Sequence, residues 1–240
     1  MDFRKLLRQA KADAVHERNN IPKKVQEKQS TDEQKESTAK LVFAFSPRTV
    51  LNLEDYAVPS CHIKSIYYME EWINEVEEAS ILEHVHAAPS SAWVELKARR
   101  LQVHGGLVTT SFTPSRLPQW LCILAQSFVD AGVFHAKFTP NHALINDYAP
   151  GEEILPHEDG PMYYPLVAII STGATGRMTF RRHRNTSPQD APFYLNLARR
   201  SLLIFTHDAY TDYLHSIDNV GIDNSTAHRI SLTIRHVPTA

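Results

Sequence analysis

Residues 165–182 read PLVAIISTGATGRMTFRR, two short runs rich in Ile, Val, Phe and Thr on either side of a Gly-containing turn. Runs of this length and composition, bounded by turn residues, are typical of β-strands. Four more such runs lie along the chain, at 141–148 (NHALINDY), 193–197 (FYLNL), 201–206 (SLLIFT) and 228–236 (HRISLTIRH). Many short strands in series predict a mainly β domain, built as a sandwich or a barrel.

Two helices are predicted ahead of most of these strands. The first has acidic residues on one face and should cover a sheet with the other, which carries Met69, Trp72, Ile73, Val76, Leu82 and Val85. The second should begin at Pro118, a residue suited to the first helical position, and end before Gly132. Its inward face is formed by Trp120, Leu121, Leu124 and Phe128.

Residues 1–47 have the composition of a charged tail, and residues 48–240 should form one catalytic domain. The stretch from Val25 to Lys40 is almost free of large apolar side chains, which predicts disorder. Ahead of it, a short basic amphipathic helix is predicted by Phe3, Leu6, Leu7, Ala10 and Ala14. That helix is either solvated or a docking element for a protein partner or RNA.

The bulk composition restricts where and how the protein works. No run approaches the roughly 18 apolar residues of a membrane span, and the first residues do not resemble a secretory signal. Two cysteines are too few for a disulfide framework, so we expect a reducing compartment, the cytoplasm and nucleus. We also expect the protein to be a monomer. Residues 41–240 hold 15 Lys/Arg against 20 Asp/Glu. A nucleic acid would therefore need a local basic patch.

A candidate metal site lies in LPHEDG, residues 155–160. On a strand, residues i and i+2 share a face, so His157 and Asp159 can converge on one ion. His215, in DYLHSI, is the candidate third ligand. Two histidines and one carboxylate on one face leave coordination positions open, which suits an iron(II) oxygenase, and zinc is the competing ion.

A pair of arginines in the last strand supports an oxygenase. Arg229 and Arg235 are six residues apart, so they share a strand face, while Ile230, Leu232 and Ile234 lie on the other. A buried pair of cations needs an anionic partner, which a dicarboxylate co-substrate would supply. The alternative is that both side chains face solvent on an edge strand.

Taken together these motifs resemble the AlkB family of iron(II)- and 2-oxoglutarate-dependent dioxygenases. The resemblance rests on NDYAPG (146–151), HED (157–159), His215 and RISLTIR (229–235), and it covers about residues 52 to 238. It implies a double-stranded β-helix, or jelly roll, with helices outside its larger sheet. It also implies three cofactors or co-substrates, namely Fe(II), 2-oxoglutarate and dioxygen.

The resemblance further implies roles for individual residues. The resemblance implies that His157, Asp159 and His215 are the metal ligands. Arg229 would pair with the distal carboxylate of 2-oxoglutarate, and Arg235 would lie near its other end and the substrate. Asn146, Tyr148 and Ser231 complete the co-substrate site. Ser231 departs from a better-known member, which has Asn there.

The implied substrate is alkylated nucleic acid, either single-stranded or with a flipped base, dealkylated by oxidation. The candidate contacts are Arg99, Arg100, Gln102, His104, Tyr163 and Tyr164, with 97–107 as a lid that moves at Gly105 and Gly106. Repair members have acidic residues after the metal motif, where this chain has GPMYY (160–164). Two rivals remain: a nucleic-acid or protein binding module with little turnover, and an oxygenase of protein side chains, which the acidic main domain favours.

Overall fold

A computed structural model describes residues 41–59, 61–183, 191–218, 220 and 226–239. The predicted N-terminal helix and the disordered stretch before Lys40 lie outside these residues. The stretch Phe43–Ala240 forms one compact unit. Phe43 and Phe45, which the sequence assigned to the tail, stack on each other at 5.5 Å and pack against the core. The folded unit thus begins five residues before position 48.

Thirteen strands and three helices are found within the described residues. The helices are α1 (Glu75–His86), α2 (Gln119–Asp130) and α3 (His207–Thr211). The strands are β1 (Ile66–Met69), β2 (Val94–Leu96), β3 (Arg99–His104), β4 (Gly106–Val108), β5 (Phe112–Pro114), β6 (His142–Tyr148), β7 (Ile154–His157), β8 (Leu166–Gly173), β9 (Gly176–Arg182), β10 (Phe193–Leu197), β11 (Leu202–Thr206), β12 (Tyr213–Asp218) and β13 (Arg229–Arg235).

The strands form two antiparallel sheets that confirm the predicted jelly roll. The larger has seven strands in the order β1-β11-β8-β13-β6-β3-β2, and the smaller has four in the order β10-β9-β12-β7. A separate hairpin joins β4 to β5. Strand β13 lies at the centre of the larger sheet, and β7 lies at an edge of the smaller one.

The larger sheet separates two apolar clusters. Ile230, Leu232 and Ile234 belong to a cluster that also includes residues of α1 and α2, so the helices cover this face. The second cluster combines residues of both sheets, among them Val167 and Phe180, and therefore lies between them. Because side chains alternate along a strand, Arg229 and Arg235 face the space between the sheets.

Helix α1 begins later than the sequence predicted. The Asn74 side chain accepts a hydrogen bond from the Glu77 N–H (2.9 Å), and the Glu77 carboxylate accepts one from the Asn74 N–H (3.0 Å). This capping box fixes the helix start, so the prediction that Met69, Trp72 and Ile73 belong to the helix was wrong. Met69 instead pairs with Leu202 in β1.

Helix α2 follows its prediction closely, with Pro118 at its N-cap and the predicted inward residues buried. Among the described residues, no helix has both the length and the apolar character needed to cross a membrane.

The packing of α2 gives a test of the fold. Phe128 is fully buried and stacks on Trp72 at 5.9 Å, so Phe128→Ala should lower the free energy of unfolding by about 3 to 5 kcal/mol. Val76 on α1, which the sequence placed on the covered face, is instead exposed. Val76→Ala should therefore change the free energy of unfolding by less than about 0.5 kcal/mol. Urea unfolding of both variants measures the difference. Equal effects would contradict the placement of α2 over the sheet.

Candidate active site

Three side chains that could hold a metal converge at the end of the smaller sheet. One ligand atom from each of His157, Asp159 and His215 lies within 4.8 Å of the others. His157 ends β7 and pairs directly with His215 on β12, with ring centroids 4.4 Å apart. Asp159 lies two residues beyond β7, so the loop rather than strand alternation brings its carboxylate to the histidines.

The donor atoms of this cluster suit a metal ion. His157 Nδ1 lies 2.9 Å from the Leu155 carbonyl, which leaves Nε2 for the ion. Asp159 Oδ1 accepts a hydrogen bond from Arg235, whereas Oδ2 is buried and has no hydrogen-bond partner among the described residues. That unpaired oxygen lies 3.9 Å from His215 Nε2. An ion between these atoms would satisfy all three side chains.

The electrostatics of the cluster favour the protonation states that metal ligands need. Burial lowers the pKa of His215 to about 3 and also lowers the pKa of His157. Burial opposes ionisation of Asp159, but the charge of Arg235, followed by smaller contributions from His215, His157 and His142, outweighs it and holds the pKa of that carboxyl below its usual value. Neutral imidazoles beside an ionised carboxylate are the forms that bind a divalent ion.

A second buried cation lies at the other end of β13. Arg229 is fully buried, and its Nη2 donates to Ser171 Oγ (2.8 Å). Its Nε and Nη1 have no hydrogen-bond partner in the described part of the chain. A buried, unpaired guanidinium is costly unless an anion reaches it. The carboxylate of a dicarboxylic co-substrate would supply that anion.

The remaining predicted co-substrate residues lie beside Arg229. In the pairing of β13 with β6, Arg229 is opposite Tyr148 and Ser231 is opposite Asn146, so all four share the inner face. The Arg229 guanidinium lies 5.7 Å from the Tyr148 ring, and Asn146 Oδ1 accepts a hydrogen bond from Arg99 Nε (3.0 Å). The structure thus brings four of the five predicted co-substrate residues together, while Arg235 lies at the other end of β13, beside Asp159.

Comparisons with known proteins agree with this geometry. The sequence model of the 2OG-Fe(II) oxygenase superfamily matches residues 27–235. A relative from Danio rerio, named "Probable RNA/DNA demethylase ALKBH6", is 37% identical over 219 residues, which cover 80% of this chain and 93% of the relative. The chain belongs to the AlkB family of iron(II)- and 2-oxoglutarate-dependent dioxygenases.

Other matches to this AlkB-family enzyme are more distant. An uncharacterized protein of Acanthamoeba polyphaga mimivirus is 26% identical over 185 residues, 70% of this chain and 83% of that protein. The structure of OsALKBH1 has a TM-score of 0.57 at 13% identity, covering 72% of this chain and 98% of that one. A 2OG-Fe(II) oxygenase family member from Burkholderia pseudomallei has a TM-score of 0.54 at 14% identity, covering 80% and 93%. These two structures support the fold alone.

Membership of the AlkB family defines the chemistry of the site. Iron(II), 2-oxoglutarate and dioxygen together supply the oxidation of a substrate C–H bond, coupled to decarboxylation of the co-substrate. The chain's own residues would hold the ion from one side through His157, Asp159 and His215, and orient the co-substrate through Arg229. The apolar cluster between the sheets limits the access of water to this space.

The predicted substrate residues on β3 divide between the two faces of the strand. Arg99 faces the site and contacts Asn146, and it is close enough to influence the pKa of His157. Arg100 instead pairs with Asp147 (2.8 Å) and lies over the Trp93 ring. Gln102 Nε2 donates to the Val85 carbonyl of α1 (3.0 Å).

His104 completes the set on the helix-covered face. Its ring lies 2.9 Å from Gln102 Oε1 and 6.5 Å from the Trp120 ring of α2. The structure therefore does not bring Arg100, Gln102 or His104 to the metal ligands, because alternation along β3 directs them to the opposite face.

The two tyrosines after the metal motif also separate. Tyr163 faces the site, with the Arg235 guanidinium 4.2 Å from its ring centroid. Tyr164 stacks on Phe138 at 4.1 Å and packs against the helix-side core. Tyr163 remains a candidate substrate residue, while Tyr164 has a packing role.

The glycines of the predicted lid occupy a tight turn between β3 and β4. Gly105 and Gly106 have φ of +90° and +124°. A Cβ on Gly105 would lie 2.0 Å from the Asn141 carbonyl oxygen, so close packing alone requires glycine there. Movement of residues 97–107 stays a prediction.

Sequence reasoning missed two residues of the site. His142 is buried opposite Arg235, and its ring centroid lies 5.5 Å from that of Tyr163. Burial, and to a smaller extent the charge of Arg235, lowers the pKa of His142 to about 3. Tyr210 on α3 donates to the Gly160 carbonyl (2.8 Å), next to Asp159. Alternation back from Asn146 along β6 could have identified His142. No local signal points to Tyr210.

The ligand assignment predicts different effects for two substitutions. His157→Ala should abolish tight iron(II) binding and leave the thermal unfolding of the apo-protein nearly unchanged, because the ring lies at a strand end. Asp159→Ala should also abolish binding but lower stability by about 3 to 5 kcal/mol, since it leaves the buried Arg235 unpaired.

Anaerobic iron titration and apo-protein melting curves measure both effects. His207→Ala, at the start of α3, is a control that should bind iron normally. Normal iron content in His157→Ala would refute the assignment.

The co-substrate assignment predicts a loss of 2-oxoglutarate affinity in Arg229→Ala. Removing one partner of a buried charge pair costs at least about 2 kcal/mol, which corresponds to roughly a 30-fold rise in Kd. The Kd of 2-oxoglutarate is measured by anaerobic titration. Binding is followed by the visible charge-transfer band that forms when the keto acid binds iron(II).

A milder variant tests the same contact. A Cβ on Gly176 would lie 2.9 Å from Arg229 Cδ, so Gly176→Ala should displace the guanidinium and raise Kd by a smaller factor. Wild-type affinity in Arg229→Ala would contradict the assignment.

Proposed function

We propose that this dioxygenase removes N-methyl groups from bases of nucleic acid. The oxidative part of the proposal rests on the metal cluster and on the buried Arg229, whose Nε and Nη1 have no hydrogen-bond partner among the described residues. Hydroxylation of an N-methyl group gives an unstable product that releases formaldehyde. The nucleic-acid part is supported by the name of the Danio rerio relative, to which the chain is 37% identical.

The burial of the ligands restricts how a base reaches them. The side chains of Asp159 and His215 are only 7% and 9% exposed. A base stacked in a duplex is too far inside the helix to approach such atoms, so the substrate base must be flipped out or belong to a single strand. The aromatic ring of Tyr163, beside Arg235, offers a surface for such a base.

The charge distribution favours weak, local contacts to phosphate. The region after residue 40 is acidic overall, with 15 Lys/Arg against 20 Asp/Glu. Arg181 on β9 is exposed and lies opposite Leu214, so alternation places it on the outer face of the smaller sheet, away from His215. Each phosphate contact to a single strand contributes about −0.7 to the slope of log K against log salt. A few such contacts predict a shallow slope.

We further propose that the enzyme acts as a monomer in the cytoplasm and nucleus. Cys61 and Cys122 are free thiols, which suits a reducing compartment. A protein partner for the predicted N-terminal helix belongs to the same proposal and falls outside the described residues.

A screen of methylated single-stranded DNA and RNA oligonucleotides tests the function. We expect at least one to raise succinate formation tenfold or more over the rate without substrate, with formaldehyde released in equal amount. Unmethylated oligonucleotides of the same sequence are the matched control.

Two outcomes would overturn this function. Full occupancy by iron(II) and 2-oxoglutarate without stimulation by any oligonucleotide would favour a binding module with little turnover. Stimulation by protein fragments alone would favour a protein-directed oxygenase.

A further inference from the structure

A buried carboxylate on α1 joins two connections between the sheets. Glu78 is 1% exposed. It accepts a hydrogen bond from the Gly173 N–H (3.0 Å), where the chain turns from β8 to β9. Both of its oxygens also accept from Arg199 Nε (2.8 and 2.7 Å), in the connection from β10 to β11. Each connection carries the chain from one sheet to the other, so Glu78 ties two such crossings together.

The turn from β8 to β9 (173–176), here called the crossing turn, packs directly against Arg229. The Ala174 N–H donates to the carbonyl of His228, the residue just before Arg229 (3.1 Å). A Cβ on Gly176 would lie only 2.9 Å from Arg229 Cδ, so no free space separates the two. A shift of the crossing turn must therefore move the Arg229 side chain, because close-packed groups transmit displacements.

The connection from β10 to β11 supports the hydroxyl that holds the same guanidinium. Arg229 Nη2 donates to Ser171 Oγ (2.8 Å). The backbone of Ser171 donates to the Ser201 carbonyl (3.0 Å) and accepts from the Arg200 N–H (2.7 Å). The crossing turn and the Ser171 hydroxyl, which together fix Arg229, are thus both attached to segments that Glu78 joins.

The position of Arg229 determines the length that a co-substrate must span. Its Nε and Nη1 have no hydrogen-bond partner among the described residues and would receive the distal carboxylate. The keto-acid end would reach the metal ligands, so one molecule has to bridge a fixed distance. Hydrogen bonds weaken steeply away from their best geometry, and a fitted pocket discriminates one methylene by about 10- to 200-fold.

We propose that Glu78 is a positioning residue that sets the length of the dicarboxylate accepted by the enzyme. It acts on Arg229 through the crossing turn rather than by contact with the co-substrate. The inference goes beyond the proposed function, because it concerns the co-substrate and holds whichever substrate is oxidised.

Glu78→Met removes both hydrogen bonds and keeps the length of the side chain. We expect the Kd of 2-oxoglutarate for the iron(II)-loaded protein to rise about five- to tenfold, the effect of one hydrogen bond of ordinary strength. The rise should be smaller than in Arg229→Ala, because Ser171 still holds the guanidinium. Anaerobic titration of the charge-transfer band measures the Kd, and iron(II) affinity should stay as in wild type.

Two further variants separate positioning from a loss of stability. Glu78→Gln retains an amide oxygen that can accept from the Gly173 N–H, so it should restore most of the affinity. Glu77→Met is the matched control on the same helix. The Glu77 carboxylate binds Arg48 and the Asn74 N–H, so this variant should melt at a lower temperature and keep the wild-type Kd.

A longer keto acid reports on the length directly. 2-Oxoadipate has one more methylene than 2-oxoglutarate, and wild-type protein should bind it about tenfold more weakly or worse. In Glu78→Met the ratio of the two Kd values should fall by about threefold or more, because Arg229 can yield to the longer molecule. In Glu77→Met the ratio should stay unchanged.

These measurements use no nucleic acid, so they succeed or fail independently of the proposed function. A wild-type Kd and ratio in Glu78→Met would show that this carboxylate serves stability alone and would overturn the inference. Equal changes in Glu78→Met and Glu77→Met would overturn it as well. Iron(II) binding weakened in parallel with 2-oxoglutarate binding would mean that Glu78 supports the whole site, which contradicts selection of length.

Discussion

The ion pair between Arg235 and Asp159 joins the two sheets at the place where the chemistry occurs. Arg235 belongs to the central strand of the larger sheet, and Asp159 follows the edge strand of the smaller one. Neither side chain is exposed enough for water to replace its partner. The pair therefore serves two purposes, because it fixes the approach of the sheets and leaves one oxygen of Asp159 directed towards the histidines.

Strand β13 makes this arrangement possible because its two faces carry different chemistry. Its apolar residues pack beneath α1 and α2, and its polar residues line the space between the sheets. The helices thereby hold in register a strand whose inner face contains two cations. The free energy gained on the helix side offsets the desolvation of the guanidinium groups on the other.

Spacing within short segments was enough to predict the strand series, the pairing of His157 with Asp159 and the strand face shared by Arg229 and Arg235. The roles of Asn146, Tyr148 and Ser231 came instead from the resemblance to the AlkB family. Features that depend on residues far apart in the sequence could not be predicted in this way. Whether Gln102 or Arg99 faces the site is set by the pairing of β3 with β6, which no local pattern on β3 reveals. The start of α1 depends on a capping box that competes with the apolar residues before it. Tyr210 binds a carbonyl fifty positions earlier in the chain, a contact that only the folded chain creates.

The edge position of β7 has a consequence for how the enzyme gains and loses its metal. His157 is held by a strand with one neighbour, and the ladder to β12 is irregular between His215 and Ile217. Strand ends with a single partner fray at a free energy far below that of global unfolding. The other two ligands belong to better anchored parts, the long ladder of β12 and the ion pair to β13. Iron exchange should therefore proceed through fraying of one strand, so metal lability and thermal stability can vary independently in this fold.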